Sequence, residues 1–226
     1  MRRPMIMAPL LVLAAATALA QDSVKAAPEH CEVAFENEHV RVLRWTVPAG
    51  GKVSMHEHPA LVSVSLTSGK TRFTMPDGQT KEAESKAGQA TWSEPEKHAS
   101  ENLEASAGHV IQVELKTAAG RGRAVGTAGS PDPTIVDSKH YAAEFENDRV
   151  RVLRIRYGPN EKSVMHFHPR NVAIFLTDGQ GRFTLPDGKT MDTDFKAGDV
   201  RWGDDEQHLP ANSGSRPFEL ILIELR

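Results

Sequence analysis

Hydrophobic and polar residues alternate in short runs along most of the chain, and this period of two predicts β-strands rather than helices. Val40-Arg41-Val42-Leu43-Arg44 combines apolar and basic residues in the way expected for a strand with one solvent-facing side. Turn residues separate the runs at intervals of about 8 to 12 residues, and Pro76-Asp77-Gly78 predicts a hairpin. The pattern predicts an all-β fold built from small antiparallel β-barrels or sandwiches, because closing a sheet removes its open edges.

One apolar run, at the N-terminus, is too long to be an ordinary strand. Arg2 and Arg3 precede it, and Ala18-Leu19-Ala20 supplies small residues at its end. This arrangement predicts a signal peptide over residues 1–20 and a periplasmic or secreted protein. An uncleaved anchor is the alternative, but the run is short and is interrupted by Pro9, so we expect no membrane segment after cleavage.

The chain repeats itself at an offset of 110 residues, the distance from His56 to His166. The shift needs no insertion or deletion, and it aligns Phe35-Glu36-Asn37 with Phe145-Glu146-Asn147. We therefore predict two tandem small antiparallel β-barrels, over residues 28–116 and 138–226. Residues 117–137 are rich in Gly, Ala, Pro and Ser and are interpreted as a linker.

Composition and charge exclude several classes of partner. The 226 residues are 39% hydrophobic and 25% charged, as in an ordinary globular protein, and the net charge is −3. Removal of Arg2 and Arg3 with the leader changes the net charge only to about −5, too mild to indicate nucleic acid or a membrane surface as a partner. Cys31 is the single cysteine, so the chain can form no internal disulfide.

His56-Glu57-His58 recurs as His166-Phe167-His168, and these segments carry the candidate chemistry. Residues i and i+2 of a strand share a face, so each segment places two imidazoles side by side. A single His-x-His is more often a pair of hydrogen-bonded core residues than a metal site. Its duplication favours metal binding.

The first copy resembles the first sequence motif of the cupin superfamily. Gly50, His56, His58, Val62 and Gly69 stand at the spacing of that motif, with valine in the position of its usual glutamate. The fold that this resemblance implies is the jelly-roll-like double-stranded β-helix.

The second cupin motif is similar to the residues from Gly88 to Asn102, through Pro95 and His98, although it is one residue shorter between its glycine and its histidine. The second copy repeats both motifs with Asn160, Val172, Gly198, His208 and Asn212. The chain thus resembles a secreted two-domain cupin, or bicupin. The resemblance implies that three histidines converge in each barrel: His56, His58 and His98 in the first, His166, His168 and His208 in the second.

A three-histidine site without the glutamate carries no ligand charge. It is similar to the three-histidine cupin dioxygenases and unlike the manganese cupins that act on oxalate. Neutral imidazoles suit Fe(II), Ni(II), Cu(II) or Zn(II), and affinity alone favours copper or zinc. The dioxygenase resemblance favours Fe(II), and Mn stays open.

Arg72 and Arg182 are candidate substrate-pocket residues, because a guanidinium pointing inward can clamp a carboxylate. The alternative is a solvent-exposed strand face or an ion pair with Glu36 or Glu146.

Two further repeated pairs are candidates for the pocket. Trp92 and Trp202 lie on the strand before the third histidine and form either a pocket wall or part of the core. Asn102 and Asn212 close the second motif and are expected to fix a loop or to orient a histidine.

Three functions remain open. The first is a metal-dependent dioxygenase-like or isomerase-like enzyme acting on a small carboxylate or phenolic substrate. The second is a non-catalytic module that binds a metal or a small ligand, and the third is a metal-free structural cupin. The resemblance also implies that the two barrels pack as a pseudo-twofold pair, and it leaves a homodimer open.

Overall fold

The computed structural model describes residues 21–116 and 131–226. The predicted signal peptide lies outside the described residues, as does most of the stretch interpreted as a linker. The described part is built almost entirely of β-strands, which confirms the predicted all-β class.

The first copy contains one short helix and ten strands. They are β1 (Gln21–Asp22), α1 (Ser23–Ala26), β2 (Cys31–Glu36), β3 (Val40–Val47), β4 (Lys52–His58), β5 (Leu61–Ser65), β6 (Gly69–Thr74), β7 (Thr80–Ser85), β8 (Ala90–Ser93), β9 (Glu96–Asn102) and β10 (Gly108–Leu115).

The second copy repeats this order without a counterpart of β1. Its elements are α2 (Pro133–Val136), β11 (Tyr141–Glu146), β12 (Val150–Tyr157), β13 (His166–His168), β14 (Asn171–Phe175), β15 (Gly179–Thr184), β16 (Thr190–Phe195), β17 (Val200–Gly203), β18 (Glu206–Asn212) and β19 (Phe218–Leu225). Both helices have only four residues, and no helix of the described segments is long and apolar enough to cross a membrane.

Each copy is a jelly roll of two sheets. In the first copy the strand orders are β1-β4-β9-β6-β7 and β2-β3-β10-β5-β8. In the second they are β13-β18-β15-β16 and β11-β12-β19-β14-β17. The sheets of one barrel are separate rather than joined into a closed ring, so the cavity of each barrel lies between two sheets.

The predicted Pro-Asp-Gly hairpins are present in both copies. Gly78 and Gly188 each have a φ of 83°, in the left-handed region that glycine adopts without strain. In the first hairpin, Asp77 Oδ1 accepts a hydrogen bond from the backbone N–H of Gln79. These turns fix the register of β6 with β7 and of β15 with β16.

The structural repeat begins earlier than the sequence alignment indicated. Asp22 caps α1 and pairs with Arg41 at 2.6 Å, and Asp132 caps α2 and pairs with Arg151 at 2.5 Å. Helix α2 lies inside the stretch interpreted as linker, so the end of that stretch contacts the second barrel.

A single apolar cluster joins the two barrels. It contains buried residues from both copies, among them Val62, Val64, Ile111, Val113, Val172, Ile174, Ile221 and Ile223. These residues lie on β5 and β10 of the first barrel and on their repeats, β14 and β19, of the second. The sheets that contain these strands therefore pack face to face, as sandwich sheets do.

Reciprocal hydrogen bonds reinforce this packing. Arg44 donates to the carbonyl of Gly198 at 2.8 Å, and Arg154 donates to the carbonyl of Gly88 at 2.6 Å. The donors are 110 residues apart, and so are the acceptors. The two barrels are therefore related by an approximate twofold axis.

Removing side-chain volume from the cluster between the barrels should destabilise the protein. Ile223 is fully buried there, and we expect Ile223→Ala to lower the free energy of unfolding by about 2 to 5 kcal/mol. Denaturant unfolding of residues 21–226 measures the change. Val33→Ala, at an exposed site on β2, is the control and should change it by less than about 0.5 kcal/mol. A loss at Ile223 no larger than that of the control would mean that the barrels do not depend on this face.

Candidate metal centres

The predicted histidines of the first barrel meet between β4 and β9. The antiparallel register pairs His56 with His98 and His58 with Glu96. The ring of His98 lies 4.7 Å from that of His56 and 5.2 Å from that of His58, measured between centroids. All three rings are buried. The three imidazoles come together because β4 and β9 pair in this register.

Backbone carbonyls orient two of these rings. The Nδ1 of His56 lies 2.9 Å from the carbonyl of Ser54, and the Nδ1 of His58 lies 2.9 Å from the carbonyl of Pro59. A carbonyl only accepts hydrogen bonds, so each Nδ1 carries the proton. The Nε2 lone pairs are then free for a cation, as in many protein metal sites.

A carboxylate joins the first cluster. Glu96 Oε1 lies 3.1 Å from His98 Nδ1 and 3.7 Å from His58 Nε2, and these three residues can present ligand atoms within 4.8 Å of one another. The first barrel therefore offers a carboxylate as a possible ligand, which the expectation of a site without ligand charge did not include. The sequence contains a signal for this carboxylate. Glu96 precedes His98 by two residues, so both lie on the same face of the strand, and the pair recurs as Glu206 and His208.

The valines aligned with the usual glutamate face away from the histidines. Val62 and Val172 are fully buried in the cluster between the barrels. The next residue in each chain segment, Ser63 or Ala173, lines the cavity instead. The alignment was one residue out of register, which on a strand exchanges the two faces.

The second barrel brings His166, His168 and His208 together between β13 and β18. Their ring centroids are 4.8 to 5.3 Å apart. His166 Nδ1 lies 2.8 Å from the carbonyl of Val164, and His168 Nδ1 lies 2.7 Å from Glu224 Oε1. Both Nδ1 atoms are thereby protonated, which leaves two unprotonated Nε2 atoms only 3.0 Å apart.

This separation fits a shared cation. Two nitrogen lone pairs facing each other at 3.0 Å cannot form a hydrogen bond and repel each other. Two imidazoles bound to one metal at 2.0 to 2.1 Å would place their nitrogens roughly 2.9 to 3.4 Å apart in octahedral or tetrahedral geometry. In the first barrel, His98 Nδ1 is buried, and its contact with Glu96 Oε1 at 3.1 Å does not have hydrogen-bond geometry, so this nitrogen is also available to a cation.

Burial keeps four of the histidines, His56, His98, His166 and His168, neutral. It lowers the pKa of His98 and of His166 to about 3, with a further contribution from the neighbouring histidines. The pKa of His56 and that of His168 are also lowered, chiefly by burial. Neutral imidazole is the form that binds metals.

Each barrel has a buried glutamate on its last strand, Glu114 in the first and Glu224 in the second. Arg41 donates to Glu114 at 2.6 Å, and Arg151 donates to Glu224 at 2.5 Å. Only Glu224 also contacts a candidate ligand, His168. The Oε1 of Glu114 has no hydrogen-bond partner among the described residues, and burial raises the pKa of this carboxyl.

The predicted arginines do not reach the cavities. Arg72 pairs with Glu82 and Glu101 at 2.9 and 3.1 Å, and Arg182 pairs with Asp192 at 2.6 Å. Both lie on partly exposed strands, so the solvent-exposed alternative holds, with different acidic partners from those proposed.

The remaining predicted residues serve mainly to hold the fold. Trp92 and Trp202 border the cavities and also pack against the cluster between the barrels. The Asn102 side-chain amide donates to the carbonyls of Val47, Pro48 and Ser106, and Asn212 donates to those of Gly158 and Arg216. The expected role in fixing a loop is therefore present in both copies.

A cavity opens beside each histidine cluster, and the two cavities differ. The first has a volume of about 370 Å³, and its lining includes many Ser, Thr and Gln residues. The second has a volume of about 230 Å³ and is lined by aromatic and aliphatic residues, with Arg201 over the rings of Phe175 and Phe195.

The fold was compared with known proteins. No family model matches the chain, and no curated protein matches it in sequence. Among solved structures, AerE from Microcystis aeruginosa is 12% identical, with a TM-score of 0.61 over 87% of this chain and 97% of that one. A cupin 2 conserved barrel domain protein from Leptotrichia buccalis is 10% identical, with a TM-score of 0.52 over 87% and 88%.

The chain has the two-barrel cupin fold. A Bacillus subtilis oxalate decarboxylase, studied for its Mn(II) centres, is similar too, at 12% identity and a TM-score of 0.57 over 91% of this chain and 74% of that one. At such low identity these similarities establish the fold alone. The chemistry of this protein must be argued from its own residues.

The metal-free protein should lose stability in mild acid. The unfolded chain protonates its histidines near pH 6.5, but the folded state does not protonate His98 or His166 until about pH 3. Between these values the unfolded state binds more protons, so the free energy of unfolding falls as the pH falls. Chemical unfolding in a chelator from about pH 6.5 to 5 measures the slope, above the range in which ordinary carboxylates titrate. The His98→Gln/His166→Gln variant should show a shallower slope, and equal slopes would contradict the assignment.

The difference between the two buried glutamates can be tested directly. Glu224→Gln should weaken metal binding in the second barrel by about 10- to 100-fold, because the charge that supports His168 is lost. Glu114→Gln is the matched control in the first barrel and should have a smaller effect. Each affinity is measured by competition with a chelating dye, in a background where His98→Ala or His208→Ala removes the other site. Equal effects would show that the hydrogen bond to His168 is unimportant.

Proposed function

We propose that this chain is a periplasmic or secreted metal-binding bicupin that holds one transition-metal ion in each barrel and acts on a small molecule. The observation that carries the proposal is the pair of unprotonated Nε2 atoms of His166 and His168 at 3.0 Å. Without a cation this contact is repulsive, and with one it is the spacing of two ligands.

The ligand types point to Fe(II) as the metal for the first barrel. His58, His98 and Glu96 form a set of two histidines and one carboxylate, which suits non-haem Fe(II) sites with open positions. The second set is three neutral histidines, which Zn, Cu, Ni and Fe also accept. Mn(II) prefers oxygen ligands and is better matched to the first barrel than to the second.

A bound metal of this kind supplies Lewis-acid or redox chemistry. The protein residues supply the surroundings in which that chemistry takes place. Carbonyl hydrogen bonds hold His56 and His58 in one orientation, and the buried walls limit access of water. Glu96 is partly exposed towards the cavity, so its carboxylate could accept a proton from a substrate bound there. A dioxygenase-like or isomerase-like reaction on a small molecule fits this arrangement.

Metal binding without turnover is the second candidate, and one observation favours it for the second barrel. The cavity beside its histidines is the smaller one, at about 230 Å³ against about 370 Å³. A cation held there leaves less room for a substrate. The second barrel would then serve as a structural or storage site, and the first as the reactive one.

Elemental analysis of residues 21–226, purified without a histidine tag, tests the proposal. We expect about two equivalents of transition metal, with about one lost in His98→Ala and one in His208→Ala. His109→Ala is the control, because His109 lines neither cavity and hydrogen-bonds Thr46. Absence of metal both after purification and after reconstitution would instead support a metal-free structural cupin.

Oxygen consumption distinguishes the enzyme from the binding module. The protein reconstituted with Fe(II) is given simple carboxylates and phenols in an oxygen electrode. Uptake that is lost in His98→Ala but retained in His208→Ala would identify the first barrel as the reactive one. Full metal occupancy without uptake would favour the binding module over a dioxygenase-like enzyme.

A further inference from the structure

At several aligned positions the wall of the first cavity has a polar residue where the wall of the second has an apolar one. The repeat aligns the two cavity walls position by position, so the comparison is direct. Ser65, Ser85 and Gln112 of the first wall correspond to Phe175, Phe195 and Leu222 of the second.

The second barrel shows how the same fold forms an apolar core at these positions. Phe175 stacks on Phe195 with ring centroids 4.0 Å apart, and Phe195 contacts Phe218 at 5.0 Å. Burial of such side chains is the main source of folding stability. Within residues 21–116 the first barrel lacks these aromatic contacts, and its cavity is larger, about 370 Å³ against about 230 Å³. A polar interior that contributes less stability is typical of a binding site.

Several hydroxyl groups on the wall of the first cavity are not used by the protein. The side chains of Ser65, Thr91 and Ser100 line this cavity and form no hydrogen bond with any residue in the described segments. Each hydroxyl can both donate and accept. They are therefore available to a ligand or to water.

A hydrogen-bonded row holds the floor of the cavity in place. Trp45 Nε1 donates to Gln112 Oε1 at 2.7 Å, and Gln112 Nε2 lies 3.4 Å from Ser63 Oγ. This leaves the second N–H of the Gln112 amide and the hydroxyl proton of Ser63 free to donate. The row also fixes the Trp45 ring, which lies 5.6 Å from the ring of His56.

The charged side chains of this cavity do not favour an anionic ligand, since two lysines and three glutamates line it. Lys70 pairs with Glu82 at 2.7 Å, and Lys81 lies 3.8 Å from Glu96. Both lysines of the lining therefore have carboxylate neighbours, and neither offers a free positive charge to an anion. A flat indole beside many hydroxyl and amide groups matches a molecule with apolar C–H faces and hydroxyl edges.

We propose that the first cavity binds a neutral, hydroxyl-rich small molecule of monosaccharide or cyclic-polyol size, with one hydroxyl directed towards His56, His58 and His98. The inference rests on the proposed function in one respect: the hydroxyl near the three histidines would bind the metal proposed there. The hydrogen bonds to Ser63, Ser65, Thr91 and Gln112 do not depend on a metal.

Titration calorimetry of residues 21–226 with D-xylose, D-glucose and myo-inositol, on metal-free and metal-loaded protein, tests the proposal. At least one of these probes should bind saturably. The double variant Ser65→Ala/Thr91→Val should weaken that binding by about tenfold, the loss of two hydrogen bonds. Its melting temperature should stay the same or rise, because these hydroxyls have no partner in the protein.

A matched variant in the second barrel completes the test. Ala173→Ser adds a hydroxyl at the position of Ser63 and should leave affinity for the three probes unchanged. The proposal is overturned if none of the probes binds to either form of the folded protein, or if the double variant binds as well as the wild type. A fall in the melting temperature of the double variant would also overturn the proposal, because the two hydroxyls would then stabilise the fold. Metal content is measured on the same samples: metal without probe binding rejects this inference alone, and probe binding without metal rejects only the metal proposal.

Discussion

The rest of the structure depends on the face-to-face packing of two sheets, β2-β3-β10-β5-β8 of the first barrel and β11-β12-β19-β14-β17 of the second. Strands β5, β10, β14 and β19 each pack against the other barrel on one face and line the cavity of their own barrel on the other. Successive residues on these strands therefore experience different surroundings. Val62 and Val64 pack against the other barrel, while Ser63 between them lines a cavity. One strand therefore contributes both to the interface between the barrels and to the cavity wall.

The sequence was most informative where a physical rule links adjacent residues. The 110-residue repeat, the Pro-Asp-Gly hairpins and the pairing of His56 with His58 on one face all depend on local spacing. The convergence with His98 needed the cupin resemblance, because strand partners 40 residues apart are not visible from local spacing. The assignment of Val62 to the glutamate position failed for the same reason, since a shift of one residue exchanges the faces of a strand.

Charged residues were harder to place than histidines. Arg72 and Arg41 both lie on strands that alternate polar and apolar residues, yet Arg72 is held by surface carboxylates and Arg41 reaches the buried Glu114. The difference depends on which residues lie across the sheet, and no local pattern specifies this. Glu96 and Glu114 were visible as repeated residues, but a repeated glutamate on a strand is as easily a solvent-exposed residue as a ligand.

The two copies have also diverged next to the candidate metal sites. In the second barrel Asp137 hydrogen-bonds both His140 and Ser163. The ring of His140 stacks on that of Tyr157, and the hydroxyls of Tyr157 and Tyr141 form a hydrogen bond of 2.9 Å. The corresponding part of the first barrel is a small apolar cluster that includes Cys31 and Trp45. The reciprocal bonds of Arg44 and Arg154 are the same in both copies despite this divergence. A protein with only one such barrel would present an uncovered apolar face, complementary to itself, with an arginine and a glycine carbonyl at its rim. Such a barrel would be expected to associate with a second copy around the same axis, so the tandem chain is equivalent to a symmetric dimer whose halves became free to specialise once they were covalently joined.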